Sequence, residues 1–481
     1  MSIVINFITR FLSMSIRTYK PKRVYVSKSA RSYPRAQQMI RRIKKLNRKV
    51  IISHIPTNTP PRPKLKGKAL WQFLKETIVI CERSAPFMEV FASPGKISEN
   101  LGVMGKILFH CPLRCLFCYL DISGRGTPWT RIYVDTENFY AQAISERLVY
   151  KMTLTLWSAV SLHLKTPLEK VPHKFKEICD NIIRQEILKK RSTINNDEEA
   201  IRYLKKHLRE FFLKMGIPIT HKQSAQLKRE IPSYYSENSK NPLWINISEY
   251  SDVLGLDPIT NQIEELMQIV QTDPHFNFKL RTKTANIHNF LKYDGKDQVL
   301  VTFSLNTEYV TKKYEKDSST LDQMIAAINA LIQKGGYQIQ IAIEPIIKYD
   351  GYEKDYRDLI KRLKNEVDLS NVSKIKVGTV RYKTWLKNYI TKVHPKSGLV
   401  SRNQQLVSPQ PGDKRWRYSK DERLKIYGVI QNELKSVQSV KLGLGSENPE
   451  LWDDLGLDKT VIHSGVVYQY GDDKKNNNSS K

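Results

Sequence analysis

The stretch His110-Cys-Pro-Leu-Arg-Cys115-Leu-Phe-Cys118-Tyr119-Leu120 contains three of the five cysteines of the chain, at the spacing C-x3-C-x2-C. Three thiolates on one short loop can bind three irons of a 4Fe-4S cluster and leave the fourth iron open, whereas electron-transfer clusters usually take four cysteines. An open iron can bind a further ligand. The spacing therefore predicts a 4Fe-4S cluster held by Cys111, Cys115 and Cys118.

Two alternatives remain open for these cysteines, a zinc site and three unrelated core residues. Zinc sites normally pair C-x2-C with a second Cys or His pair about fifteen residues further on, and no such pair follows here. His110 adjoins Cys111, where an extended backbone would point its side chain away. Cys81 and Cys179 are left over, and we expect each to be a small buried apolar residue.

The composition indicates a globular protein with basic appendages. Lys and Arg number 79 against 48 Asp and Glu, which gives a net charge of +31 and favours a polyanionic partner, nucleic acid first of all. No acidic residue precedes Glu76. We expect residues 1–18 to be a basic leader that can be disordered, with an organellar presequence as the alternative.

The same sequence features predict the cellular setting. The apolar start of the leader is too short for a membrane-spanning helix, contains Arg10 and lacks a signal cleavage pattern, so we expect no membrane association. Only two cysteines lie outside the motif, which argues against a disulfide framework. An intracellular, reducing compartment such as the cytoplasm or nucleoid is therefore predicted.

Apolar or β-branched runs alternate with helical patterns along most of the chain, which is typical of an α/β fold with repeated β/α units around a parallel sheet. Six predicted strands cover residues 107–109, 243–247, 278–282, 299–304, 338–343 and 374–380. Predicted helices cover residues 136–149, 259–270, 319–334 and 356–363. Six units form a partial (β/α)6 barrel over residues 104–384. The cysteine loop follows its first strand, where the active sites of such folds lie.

Two further regions precede or interrupt the predicted barrel. Residues 19–103 form a basic N-terminal region with predicted strands at residues 23–26 and 77–81. Residues 150–241 are a helical insertion, because a single crossover needs only about a dozen residues. Its clearest predicted helix begins at a cap formed by Asp197 and ends at Gly216. The apolar stripe of this helix predicts packing, and its members are Ile201, Leu204, Leu208, Phe211, Phe212 and Met215.

The C-terminal region, residues 385–470, is strongly basic and interleaves cations with aromatic residues at Lys414, Arg415, Trp416, Arg417 and Tyr418. Cations bind phosphates, and aromatic rings stack on bases or wedge between them. These five residues are therefore predicted to contact nucleic acid. A surface hairpin with Trp416 packed inward is the alternative. Residues 471–481 are rich in Asp, Lys, Asn and Ser and are predicted to be disordered.

The cysteine motif with Tyr119 directly after it resembles the signature of the radical S-adenosylmethionine (radical SAM) enzymes. A narrower resemblance, to the spore photoproduct lyase family, is carried by five segments in chain order. They are residues 22–34, 115–120, 251–257, 303–310 and 345–352. The resemblance covers most of residues 19–428 apart from the insertion.

The resemblance implies a DNA repair enzyme, a carbon–carbon lyase that splits a thymine–thymine photoproduct without light. In that family, S-adenosylmethionine binds the open iron and yields a 5'-deoxyadenosyl radical, and an electron donor such as flavodoxin or ferredoxin is needed. Residues 414–418 match a hairpin that enters DNA beside the lesion, which has to leave the base stack to reach a buried site. The positions that match the S-adenosylmethionine contacts of the family are Ser251, Asp252, Lys283, Ser304 and Asn306.

The chain departs from the family pattern at two positions. Glu249 stands where the family has the cysteine that donates a hydrogen atom, and Phe117 stands where it has a tyrosine of the hydrogen relay. Tyr119 is kept, so the resemblance implies Tyr119 and Glu249 as the catalytic positions. Two other functions remain open: radical SAM modification of another nucleic acid such as RNA, with Glu249 as an acid or base, and nucleic-acid binding without turnover.

Overall fold

The computed structural model describes residues 6–91, 102–122, 129–167, 178–185, 194, 196–240, 242–400, 406–408, 415–437, 439–445, 447 and 449–457. The chain divides into two compact units, residues 1–136 with 244–462 and residues 137–243 with 463–481. Within the described ranges, no helix combines the length and apolar character needed to cross a membrane.

The described residues contain sixteen strands. They are β1 Arg23–Ser27, β2 Ile51–Ile55, β3 Thr77–Cys81, β4 Met88–Phe91, β5 Gly102–Gly105, β6 Leu108–Phe109, β7 Thr130–Tyr133, β8 Trp244–Asn246, β9 Asn277–Thr282, β10 Val299–Leu305, β11 Tyr337–Ile346, β12 Val372–Thr379, β13 Arg381–Lys383, β14 Leu406–Val407, β15 Arg415–Tyr418 and β16 Lys441–Leu444.

Helices lie between most of these strands. Those in the first unit are α1 Phe7–Leu12, α2 Pro34–Leu46, α3 Gly67–Lys75, α8 Val253–Thr260, α9 Gln262–Thr272, α10 Glu308–Tyr314, α11 Leu321–Lys334, α12 Tyr352–Glu366, α13 Thr384–Val393, α14 Lys420–Leu434 and α15 Pro449–Asp454. Those of the second unit are α4 Thr136–Leu164, α5 (residues 178–185), α6 Asp197–Lys214 and α7 His221–Ser239.

The larger sheet of the first unit has eight strands in the order β16-β12-β11-β10-β9-β8-β5-β4. All neighbouring pairs are parallel except β4 and β5. Parallel strands need a crossover, which α11 provides between β10 and β11. Thr320 and Gln323 form a capping box at the start of this helix, and Gly335, with φ of 77°, follows its end. The predicted α/β class with a parallel sheet is confirmed.

Five of the six predicted barrel strands lie in this sheet, as β8 to β12. The prediction for residues 107–109 was wrong, because β6 pairs antiparallel with β7 in a different sheet and β5 takes its place beside β8. Glycines begin and end β5, so its strand signal is weak, and pairing with β8 decides its place. β16, from the predicted C-terminal region, also joins the sheet and was not foreseen.

The second sheet of this unit has the order β2-β1-β3-β7-β6, parallel except for β6 and β7. It contains the predicted strands at residues 23–26 and 77–81. It also takes in residues 108–109 and 130–133, beyond the boundary predicted at residue 103. This sheet therefore delivers the chain directly into the cysteine loop.

The described part of the leader, from residue 6 onwards, packs against the rest of the first unit. Helix α1 packs against α11, with Phe11 fully buried and the backbone N–H of Ile8 donating to Gln333 Oε1 at 2.9 Å. Burial of one aromatic side chain stabilises the contact by about 2 kcal/mol. The expected disorder was therefore wrong for the α1 residues.

The second unit is a helical bundle with its own core. The predicted stripe of α6 packs inward, and Cys179 of α5 is fully buried beside it. The cap of α6 is Asn196, which accepts from the N–H of Glu199, whereas Asp197 binds Lys151 and Tyr235 at 2.9 and 3.0 Å. Helix α4 continues to residue 164, so the insertion predicted to begin at residue 150 begins inside a helix.

Candidate active site

The cysteine loop is fixed by the segment that follows α10. Cys115 forms an isolated antiparallel bridge with Glu315, and the N–H of Leu116 donates to the carbonyl of Tyr314 at 2.9 Å. The guanidinium of Arg114 makes two hydrogen bonds to Asp317, at 2.6 and 2.7 Å. A paired arginine–carboxylate contact of this kind fixes orientation as well as position.

Helix α3 holds a buried cation against the other side of the loop. Lys75 Nζ lies 2.6 Å from Asp121 Oδ1 and donates to the carbonyl of Cys111 at 2.8 Å. Trp71 Nε1 donates to Asp121 Oδ2 at 2.7 Å. Burial alone would lower the pKa of Lys75, but the Asp121 carboxylate together with Cys118 and Cys111 outweighs burial and raises that pKa. Lys75 therefore remains charged beside the cysteines.

The three thiols lie close enough to influence one another. Burial raises the pKa of Cys111 to about 12 and of Cys118 to about 11, and raises that of Cys115 well above its ordinary value. Lys75 acts in the opposite direction on Cys111 and Cys118, and Lys283 does so on Cys115 and Cys118. Iron binding requires thiolates, which these flanking cations favour. The donor set thus fits an anionic iron–sulfur cluster.

The described residues contain no group of three His, Cys, Asp or Glu side chains that could hold one metal ion. A 4Fe-4S cluster has a different requirement, because each cysteine binds a separate iron. His110 does not extend the donor set, since it is buried and packs edge-on against Phe109 at 4.4 Å. Its backbone is not extended as expected but left-handed, with φ of 61°.

The structure brings together three of the five positions matched to S-adenosylmethionine contacts. Lys283 Nζ donates to Ser304 Oγ at 3.1 Å and to Glu315 Oε1 at 2.8 Å, and Asn306 Nδ2 lies 3.5 Å from the same Glu315 oxygen. Glu315 is only 1% exposed and also forms the bridge with Cys115. Glu315 therefore links the two regions, through its backbone bridge to the cysteine loop and through its carboxylate to the residues that follow β9 and β10.

The other two matched positions, Asp252 and Ser251, differ in their hydrogen bonding. Asp252 caps α8 through the N–H of Gly255 at 2.9 Å and accepts from Thr282 Oγ1 at 2.9 Å and from the N–H of Lys283 at 2.7 Å. These contacts make Asp252 a positioning residue. Ser251 Oγ is buried and makes no hydrogen bond within the described structure. Burying a hydroxyl without a partner costs free energy, so this oxygen is suited to a ligand.

The two catalytic positions implied by the resemblance are neighbours in space. Tyr119 Oη donates to the backbone oxygen of Glu249 at 2.7 Å, and Glu249 Oε1 lies 3.2 Å from the same hydroxyl. Asn246 Nδ2 donates to Glu249 Oε2 at 3.3 Å. The ring of Phe117 faces Lys283 Nζ at 5.7 Å. Phe117 therefore lies beside one matched cofactor position, and Glu249 lies beside Tyr119.

The basic aromatic segment forms β15 of a small sheet with the order β13-β15-β14. Arg417 is buried and lies 3.2 Å from Glu447, while Tyr418 is fully buried and accepts from the N–H of Lys348. Arg415 and Trp416 remain partly exposed. Lys414 lies outside the described residues. Among the described residues of the segment, only Arg415 and Trp416 are therefore exposed enough to contact nucleic acid as predicted.

Sequence reasoning missed Glu315 and Lys75. Neither belongs to a recognisable motif, and each lies far in sequence from the cysteine that it contacts. A buried Glu or Lys is rare without a partner, but burial is not visible in the sequence.

Comparison with known proteins matches residues 225–439 to the sequence model of the family described as spore photoproduct lyase. The spore photoproduct lyase of Clostridium acetobutylicum is 25% identical over 187 residues, which cover 38% of this chain and 55% of that protein. That of Bacillus subtilis is 26% identical over 146 residues, which cover 30% and 42%. The matched part of the chain thus spans about half the length of these curated relatives.

The fold is also shared with solved structures. A spore photoproduct lyase complexed with dinucleoside spore photoproduct has a TM-score of 0.59 and 16% identity, covering 89% of this chain and 99% of that one. A double mutant of such a lyase with bound AdoMet and dinucleoside spore photoproduct gives the same values. The chain is therefore similar in sequence to the spore photoproduct lyase family over residues 225–439 and shares its fold with solved spore photoproduct lyases.

Proposed function

We propose that this protein is a radical SAM lyase that repairs thymine photoproducts in DNA. The observation that carries the proposal is a contact network beside Cys115, in which Lys283 and Asn306 contact Glu315 and Lys283 also donates to Ser304. It joins the predicted cluster ligands to the predicted cofactor positions. Nucleic acid as partner is supported by the net charge of +31.

Cys111, Cys115 and Cys118 would hold a 4Fe-4S cluster, and Ser251, Lys283, Ser304 and Asn306 would hold S-adenosylmethionine. When bound and reduced by an electron donor such as flavodoxin or ferredoxin, this pair supplies a 5'-deoxyadenosyl radical. Lys283 offers a cation to a carboxylate, and Ser251 a hydroxyl without another partner. Glu315 keeps Lys283 directed at the site.

The first experiment measures iron, sulfide and cofactor cleavage. Anaerobically reconstituted protein should contain about four irons and four sulfides per chain and should form 5'-deoxyadenosine when reduced. Cys115→Ala should lose both, whereas Cys81→Ala, a buried cysteine outside the loop, should retain them. Stoichiometric zinc without labile sulfide would contradict the proposal.

A second candidate is radical modification of another nucleic acid such as RNA. It is favoured by Glu249, because a carboxylate is a poor hydrogen-atom donor but a competent acid or base. Assay of the same reconstituted protein on ultraviolet-damaged and undamaged DNA and RNA separates the two. Product only from damaged DNA supports repair, and product from undamaged RNA supports the second candidate.

A further inference from the structure

The polar face of the larger sheet carries an unusual set of cations. Directly paired residues of neighbouring strands point to the same face. The register places Arg281 beside Thr302, Thr302 beside Gln340, and Gln340 beside Lys374. Ser304 and Lys376 follow two residues further along their strands. This face is therefore the one that bears the proposed active site.

The opposite face of the same strands is apolar. Its buried side chains are Val301, Phe303, Ile341, Ile343, Ile375 and Val377. Most strands of a parallel sheet covered by helices on both sides are apolar throughout. The polar face of these strands, with its cations, departs from that pattern.

Glu344 organises the cations at the end of β11. Its Oε2 accepts from the guanidinium of Arg281 at 2.8 Å, and its Oε1 lies 3.7 Å from Arg381. Burial alone would raise the pKa of Glu344, but Lys376, Arg281 and Arg381 outweigh it and lower that pKa to about 2. These four side chains thus carry three positive charges and one negative charge.

Two glycines make room for this arrangement. A Cβ at Gly378 would lie 2.9 Å from Glu344 Cδ, and a Cβ at Gly445 would lie 2.8 Å from the same atom. Both distances are too short for a real contact. The backbone of β12 and the turn after β16 therefore leave space for the Glu344 carboxylate, which in turn fixes the two guanidinium groups.

The cations are accessible and adjoin the reaction site. The side chain of Arg281 is 40% exposed and that of Arg381 is 25% exposed, whereas Glu344 is 8% exposed. The backbone oxygen of Glu344 accepts from Lys283 Nζ at 3.3 Å and from Ser304 Oγ at 3.4 Å. A ligand that contacts the cofactor positions on one side would therefore meet Arg281 on the other.

We propose that Arg281 and Arg381, oriented by Glu344, bind a phosphodiester group of the nucleic-acid strand whose damaged bases enter the site. The inference rests on the proposed function. Guanidinium groups match phosphate oxygens with two parallel hydrogen bonds, and the side chains of Arg281 and Arg381 are both partly exposed to solvent. The phosphate contact fixes the register of the strand, while other residues contact the bases.

The test compares two probes that differ by one phosphate: the dinucleoside photoproduct and the corresponding dinucleotide with its internal phosphodiester. The unmodified protein, loaded with cluster and S-adenosylmethionine, should bind the dinucleotide about tenfold more tightly at low salt. Arg281→Gln and Arg381→Gln should each reduce this ratio. Arg357→Gln removes a partly exposed arginine on α12, paired with Glu353, and should leave the ratio unchanged.

Equal binding of both probes by the unmodified protein would overturn this inference while leaving the proposed function intact. So would variants with an unchanged ratio. Loss of S-adenosylmethionine binding in Arg281→Gln, with the ratio unchanged, would assign the cations to the cofactor instead. Failure of both probes to bind would contradict the proposed substrate as well, and formation of 5'-deoxyadenosine would show whether cofactor cleavage survives.

Discussion

Glu249 is the residue at which the chain departs most directly from the spore photoproduct lyases that it resembles. The structure places its carboxylate beside the hydroxyl of Tyr119, so the family position of the hydrogen donor is next to the retained tyrosine. A phenol that donates to Glu249 is not directed at a substrate radical. The geometry therefore does not supply an obvious replacement for the missing thiol.

We expect cofactor cleavage to be uncoupled from thymine recovery in this protein. Incubation with a defined photoproduct dinucleotide should give 5'-deoxyadenosine in excess of intact thymines, together with by-products of radical trapping. Glu249→Cys restores a thiol at the donor position and should raise the yield of thymine per 5'-deoxyadenosine, which chromatography measures. Phe117 remains a limit on recycling of the cofactor in that variant.

The matched control is Glu308→Cys, which adds a thiol on the exposed surface of α10. It should not change the ratio of thymine to 5'-deoxyadenosine. Clean, multiple-turnover thymine recovery by the unmodified protein would refute uncoupling and require another hydrogen donor. Inertness of both the unmodified protein and the Glu249→Cys variant toward the photoproduct, despite cofactor cleavage, would favour a different substrate.

The junction of helices α8 and α9 contains a buried carboxyl group, that of Asp257. Asp257 is buried, and it accepts from the N–H of Ile263 and from Asn289 Nδ2, each at 2.8 Å. Asn261, with φ of 56°, turns the chain between the helices. Burial raises the pKa of Asp257 to about 6, against the opposing effect of these hydrogen bonds.

This shift predicts a pH-dependent stability. Between pH 4 and pH 6, Asp257 is protonated in the folded state and ionised in the unfolded state. Because ionisation favours the unfolded state, the contribution of Asp257 to folding stability falls as the pH rises through this range. Asp257→Asn removes that titration. The stability of the variant relative to the unmodified protein should therefore rise by about 2 kcal/mol across this range.

Chemical unfolding at several pH values measures this difference. Asp297→Asn, at an exposed loop position, is the control for loss of one negative charge. A difference between Asp257→Asn and the unmodified protein that stays constant from pH 4 to 6 would contradict a raised pKa at the junction.

At the scale of the whole molecule, the net charge of +31 should make the affinity for a polyanion depend on the salt concentration. Binding to single-stranded DNA should weaken steeply with salt. In a plot of the logarithm of the binding constant against that of the salt concentration, each phosphate contact should contribute about 0.7 to the slope. Arg415→Ala should flatten the slope by one such step, because Arg415 is the partly exposed cation of β15. Arg417 is unsuitable for this test, since its buried ion pair with Glu447 holds the fold.

Arg202→Ala provides the control, because Arg202 is an exposed arginine on α6 that also has a carboxylate partner. It should retain the slope of the unmodified protein in a titration followed by fluorescence anisotropy. An unchanged slope in Arg415→Ala would move the phosphate contacts away from β15, towards the basic N-terminal region or the helical insertion.

The sequence by itself determined the features that depend on local chemistry. The spacing of Cys111, Cys115 and Cys118 predicts a cluster-binding loop, because ligands on one loop need few residues between them. Alternation of strand-like apolar or β-branched runs with amphipathic helices predicted five strands of the larger sheet, because each element buries an apolar face against its neighbours. The stripe of α6 predicted the core of the second unit for the same reason.

Only the tertiary structure decided which segments pair across long sequence separations. It selected β5 instead of residues 107–109 as a strand of the larger sheet, and it brought Glu315 to Cys115 and Tyr119 to Glu249. Likewise, no sequence pattern singles out Glu344, and only the structure shows that Arg281 and Arg381 both lie next to its carboxylate. Such contacts depend on burial and register, which many distant residues set together and no short motif encodes.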